Sequence, residues 1–233
     1  MKSKSLTILA SLIVVLIVAG YVKSTNNKVL QGTTRLKSRE RLKGLVKNAK
    51  EKGETSLELH GVISNNAQFT TLADALKAFT LLKVELISKK SIVDDNELIS
   101  TWYKFRTIDT LSESKVVYDF SFMMPPPEML PLQEDELLVS VSGGTVVIDG
   151  VEVSSGEPEE PRLSAFDENQ KYLLFLCVDR TTKIATANLG VSGVLAVRED
   201  NTFVPFNGKE RHVYDELKTN SIPDLQNSLK SSR

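Results

Sequence analysis

The stretch ELLVSVSGGTVVIDGVEVSS, residues 136–155, decides the fold. Asp149-Gly150 stands between two β-branched runs, TVVI and VEVSS. That dipeptide accepts the positive φ angles of a two-residue hairpin turn, and it is the strongest short hairpin signal in the chain. Gly143-Gly144 marks a second break, between ELLVSVS and TVVI. Three short strands in 20 residues, with glycine turns and no room for a crossover helix, point to an all-β architecture.

The same period-2 pattern extends in both directions. SLELHGVIS (56–64), LLKVELISKKSIV (81–93), ELISTWYKFRTIDTL (97–111) and VVYDFSFM (116–123) read as strands. In the last of these Val116, Tyr118, Phe120 and Phe122 share one face. KYLLFLCVD (171–179) is apolar on both faces and reads as a buried central strand. KIATANLG and the hairpin formed by GVLAVR and TFVPF follow. TTLADALKAF (70–79) is a short helix, with Leu72, Ala75, Leu76 and Phe79 on one side. Two weak helices, around Arg211–Thr219 and Pro223–Lys230, close the chain. Some nine strands with short turns predict one closed or nearly closed β-barrel, with a few peripheral helices and no second core.

Ahead of the barrel lies a different kind of sequence. Lys2 and Lys4 precede an apolar run, Leu6 to Val22. At roughly 1.5 Å per residue this run just spans a hydrocarbon core, and it exceeds the usual core of a cleaved signal. No clean small-x-small cleavage site follows it. The expectation is a single-pass transmembrane signal-anchor in the cytoplasmic membrane; secretion after signal cleavage is the alternative. Residues 34–52 read as an amphipathic helix, with Leu42, Leu45, Val46 and Ala49 at helical spacing and Gly53 closing it. It either meets anionic headgroups or packs on the domain with a solvated basic face. The division is a basic N-terminus (1–5), an anchor (6–22), a basic linker and helix (23–53), a barrel (54–208) and a helical tail (209–233).

Charge is segregated. Residues 23–53 carry ten lysines and arginines against Glu40 and Glu51, a net +8. Residues 54–233 carry 17 basic and 28 acidic side chains, a net −11. An acidic body argues against nucleic acid, which needs a positive surface. The basic neck would by itself favour a cytoplasmic body.

Chemistry-bearing patterns are sparse. Ser192 in GVSGV lacks the second glycine of a nucleophile elbow, since position 194 is Val. Ser112-x-x-Lys115 has the spacing of a Ser/Lys pair, but in a polar turn without its companion motifs. Asp94-Asp95-Asn96-Glu97 lacks the glycine and distal glutamate of a calcium loop. Glu157, Glu159, Glu160, Asp167 and Glu168 form an acidic loop best read as solvated. His60, His212 and the single Cys177 do not make an ordinary zinc set. Trp102, Tyr103 and Phe105 line either a ligand groove or, as the plainer reading, both sides of a barrel wall. No catalytic, cofactor-binding or metal residue is assigned.

The runs TLADALKAFTLLKVELISKKSIVDDNELISTWYKFRTIDTL, ELLVSVSGGTVVIDGVEVSSGEPEEPRLSAFDENQKYLLFLCVD and GVSGVLAVREDNTFVPF together resemble a bacterial family of secreted or membrane-anchored β-barrel domains, over roughly residues 70–206. More distantly, the layout is similar to OB-type, netrin-like barrels. Some of these inhibit metalloproteases through an N-terminal cysteine pair, which this chain lacks. The resemblance implies a single OB-like domain outside the cytoplasm, despite the basic neck. Where the family shows Gly-Glu before a Leu-rich strand, this chain has Asn169-Gln170. Asn is the best non-glycine residue for a turn with positive φ.

The expected role is a non-enzymatic, extracytoplasmic binding or adaptor module. Its expected protein-facing surfaces are the Pro-Met loop Phe122 to Leu132 and the acidic loop Gly156 to Glu160. An enzyme using carboxylates in a barrel mouth, or a purely structural envelope protein, are the alternatives. Oligomeric state is left open.

Overall fold

A computed structural model of the chain describes residues 42–59, 71–94, 97–155, 166–187, 193–206 and 212–231. In chain order these form helix α1 (42–51), β1 (Ser56–Leu59), α2 (Leu72–Ala78), β2 (Thr80–Val93), β3 (Ile99–Ser112), a 3-10 turn (Pro127–Met129), β4 (Glu136–Ser142), β5 (Gly144–Ile148), β6 (Val151–Ser155), β7 (Lys171–Asp179), β8 (Ile184–Thr186), β9 (Val194–Val197), β10 (Phe203–Pro205), α3 (His212–Glu216) and α4 (Ile222–Ser231). The molecule is mostly β. No helix among the described residues is long and apolar enough to cross a membrane. The run Leu6–Val22 lies outside the described residues.

Five strands close a barrel in the order β7-β2-β3-β4-β8 and back to β7. All neighbours are antiparallel except β4 and β8, which run parallel with Leu138 opposite Ile184. Strand β7 makes the closure possible. One edge pairs with β2; the other is divided, Lys171–Leu174 meeting β9 and Cys177–Asp179 meeting β8. This explains why β7 is apolar on both faces, as its sequence predicts.

Alternation sorts each strand between two environments. Inward, Val84, Leu86, Tyr103, Phe105, Val139, Tyr172, Leu174 and Ala185 form the barrel core. Phe166, just before β7, plugs it. Its ring centroid lies 4.6 Å from Tyr172, 5.1 Å from Tyr103, 5.6 Å from Phe105 and 5.1 Å from Phe206. Full burial of each large apolar side chain contributes about 1.5–3 kcal/mol. Outward, Leu81, Leu173, Phe175 and Cys177 meet Ala75 and Phe79 at α2 and Leu217, Ile222 and Leu225 from the tail.

The turns follow sequence chemistry. Asp149 (φ 50°) and Gly150 (φ 83°) form the two-residue turn that sets Ile148 opposite Val151. Asn169 adopts φ 64°, the left-handed conformation expected of that position.

Two expectations are corrected. Barrel and periphery do not share a single core. Strands β1, β6 and β5 form a separate three-stranded sheet, and α1 packs on it through Leu42, Val46 and Ala49, with Ile99, Val151 and Val153. Three of the four residues of the apolar stripe of α1 are spent in that contact, while Lys43, Lys47, Lys50 and Lys52 stay exposed. The second correction is residues 116–123, which form no strand. Beside them the edges of β2 are taken by β3 and β7 and those of β3 by β2 and β4, so no ladder is open to that segment.

Candidate interaction surface

Residues 113–135 leave β3 and return to β4 as a strap over the outside of the barrel. Pro125, Pro126 and Pro127 deny this segment both helix and ladder. Its backbone polar groups therefore need side-chain partners. Ser114 Oγ donates to the Lys77 carbonyl (2.7 Å) and accepts from Val116 N (3.1 Å). Arg180 Nη2 donates to the Ser114 carbonyl (2.8 Å). At the far end Lys183 Nζ donates to the carbonyls of Gln133 and Glu134, 3.0 Å each. Glu136 Oε2 accepts from Gln133 N (2.9 Å) and lies 3.6 Å from Lys104 Nζ. Lys90 pairs with Glu128 above the middle of the strap.

Asp179, at the end of β7, is the firmest polar anchor. Its carboxylate accepts from Phe120 N at 2.9 Å, from Thr181 N at 2.8 Å and from Thr182 N at 3.3 Å. These donors, led by the Phe120 amide, favour the ionised form and hold the pKa at about 2, against an ordinary 3.8. The native carboxylate thus stays charged where an unfolded one takes up a proton. Its stabilisation is complete above about pH 4 and is lost as pH falls toward 2. Between those values the thermal midpoint of the wild type is expected to fall more steeply than that of Asp179→Asn.

The strap is apolar on two sides. Met129 is buried, with Phe120, Met123 and Leu132 partly so, against Trp102, Leu138 and Ile184 on the outer wall of β3, β4 and β8. Tyr118 stacks on Phe120 (5.9 Å), and its hydroxyl donates to the Ala78 carbonyl (2.6 Å). The opposite side faces water: Val117 is 93% exposed, Met124 80% and Phe122 74%. Met123 and Met129 therefore cover the outer wall of the barrel, while Met124 points to water.

No family model, no curated protein and no solved structure matches this chain.

The residues singled out in the sequence are dispersed. Tyr103 and Phe105 point into the barrel and Trp102 out of it, so the two-sided reading of this strand holds. Ser112 ends β3, and the neighbouring Ser114 is engaged in strap contacts. Asp94 accepts from Leu98 N (2.9 Å), and Glu97 accepts from Leu42 N (3.3 Å), which ties α1 to the hairpin. Cys177 is buried beside the Tyr118 hydroxyl. His60, Ser192 and the acidic loop Gly156–Glu160 lie outside the described residues. Among the described residues no cluster of His, Cys, Asp and Glu is arranged to hold a metal. Sequence reasoning missed Asp179. Its signal was Asp-Arg-Thr-Thr, an acid able to cap the amides two and three residues on.

Proposed function

We propose that this protein is a non-enzymatic adaptor module, held at the cytoplasmic membrane by Leu6–Val22 with its barrel on the extracytoplasmic side, and that a protein partner docks on the strap. The five-strand order with one parallel closing pair supports an OB-type reading of the barrel. The observation that carries the proposal is the exposure of Phe122 and Met124 on a segment anchored from below. A fixed backbone displaying aromatic and thioether tips loses little entropy on docking, and such side chains dominate interface energies. Among the described residues the carboxylates with displaced pKa values, Asp74, Asp119, Glu128, Asp179 and Asp200, are all shifted downward by hydrogen-bond donors. A general acid at neutral pH needs the opposite shift.

The double variant Phe122→Ser with Met124→Ser tests the reading. Both side chains are exposed, so stability is expected to stay within about 0.5 kcal/mol of the wild type. The protein extracted in mild detergent is expected to migrate as a complex when wild type and as a single chain when doubly substituted. Unchanged complex size would refute the reading. Protease accessibility in intact cells tests sidedness separately.

A further inference from the structure

Helix α1 is amphipathic, and the fold uses only one of its sides. Leu42, Val46 and Ala49 are buried against Ile99, Val151 and Val153, and Leu45 is half-buried. Glu97 accepts from Leu42 N at 3.3 Å and ties the start of the helix to the β2–β3 hairpin. Lys43, Lys47 and Lys50 recur at i, i+4 and i+7, so they share one flank, about 100° round from the buried stripe. Lys52 follows in the closing turn, and all four lysines are exposed.

The body does not use this charge. Residues 54–233 are acidic, a net −11, yet among the described residues Lys43, Lys50 and Lys52 have no carboxylate partner. Lys47 pairs with Glu51 of its own helix at 3.8 Å, and the two side chains are 77% and 62% exposed. A pair so exposed contributes little. Glu51 and Glu54 lie within the same stretch, and Glu97 stands at its start.

We infer that the lysine flank of α1 seats on anionic phospholipid headgroups of the membrane that holds Leu6–Val22, and so fixes which side of the domain faces the bilayer. This rests on the reading of Leu6–Val22 as an anchor. Residues 23–41 separate that run from the helix, and nineteen residues reach at most about 65 Å when fully extended. The helix is therefore presented to the surface at high local concentration, and contacts too weak to recruit a free helix suffice. The residue type fits as well. Lysine is a compact point charge on a flexible stem, suited to a diffuse layer of phosphates, whereas a single defined phosphate favours the fork of arginine. Because the sheet takes most of the apolar stripe, little apolar surface is left to enter the acyl layer. The contact is electrostatic: absent on zwitterionic lipid and released by salt.

The full chain reconstituted in lipid nanodiscs tests this without any substitution. A neutral amine-reactive reagent acetylates exposed lysines, and mass spectrometry reads the rate at each. Lys77 is the matched comparison. Its side chain is 78% exposed against 77% for Lys47, and it likewise pairs within its own helix, with Asp74. In discs of mixed phosphatidylglycerol and phosphatidylcholine, Lys43, Lys47 and Lys50 are expected to react about fivefold more slowly than in phosphatidylcholine alone, while Lys77 keeps one rate in both. Raising the salt to about 0.5 M is expected to restore the faster rates. Equal rates at Lys43, Lys47 and Lys50 in the two lipids, with the chain inserted, overturn this proposal and leave the anchor standing. An equal slowing of Lys77 overturns it too, since no one face is then selected. A chain that does not enter the discs overturns the anchor reading together with this one.

Discussion

Phe166→Ala is expected to lower the unfolding free energy by about 3–5 kcal/mol, the range for removing a buried aromatic ring. Phe166 is buried and touches four other rings, three of them edge-on or nearly so. Such pairs add about 0.5–1.5 kcal/mol each beyond area burial. The ring stands on residue 166, ahead of β7, so its position depends on the closed barrel and not on a ladder of its own. The void left behind would be walled by Tyr103, Phe105 and Tyr172, which strands β3 and β7 hold in place and which cannot collapse inward freely. Phe166→Leu should lose about 1–2 kcal/mol, because most of the volume remains. Urea unfolding followed by circular dichroism measures both. A loss below about 1 kcal/mol for the alanine variant would mean that the barrel is not packed around this ring.

The second large effect is expected at Gly144. Its φ is +136°, and a Cβ there would stand 2.1 Å from Thr101 Oγ1 and 2.8 Å from Ser91 Oγ. Thr101 cannot yield cheaply. It is buried, its hydroxyl donates to the Gly143 carbonyl at 2.8 Å, and Ser91 Oγ lies 2.8 Å away. Backbone strain and overpacking act together, so Gly144→Ala is expected to destabilise by about 3 kcal/mol. Gly150→Ala is the internal comparison. That position also has positive φ, but open space surrounds it, so only the conformational penalty of about 1 kcal/mol applies. Thermal melts of both variants should therefore rank Gly144→Ala well below Gly150→Ala. Equal effects would show that Gly144 does not approach Thr101 and Ser91 this closely.

These two sites mark what a single sequence reveals and what it withholds. Asp149-Gly150 and Asn169 announced their turns, because positive φ restricts residue choice locally. The two-sided apolar character of Lys171–Asp179 announced a central strand, because a strand paired along both edges and covered on both faces has no polar side. The clash at Gly144 was illegible, since Thr101 and Ser91 reach it only through the tertiary fold. The parallel pairing of β4 with β8 was illegible for the same reason: residues 138–140 and 184–186 are far apart in sequence, and no local pattern encodes their meeting. The misreading of residues 116–123 is more instructive. Of the face read as Val116, Tyr118, Phe120 and Phe122, only Tyr118 and Phe120 turn toward the protein, while Val116 and Phe122 are exposed, so the alternation holds in its middle alone. An extended segment becomes a strand only where an edge is free to pair with it. Here Ser114, Asp179 and Arg180 take the place of a ladder.

The central claim is that Phe122 and Met124 meet a protein partner in the cell. A photo-crosslinking residue at position 122, in the full chain in its native host, tests it most directly. Position 147 on β5 is the matched comparison, because Val147 is 70% exposed against 74% for Phe122. One discrete adduct is expected from position 122, absent from position 147 and lost when Met124→Ser is added. No adduct at 122, or the same adducts from both positions, would contradict it.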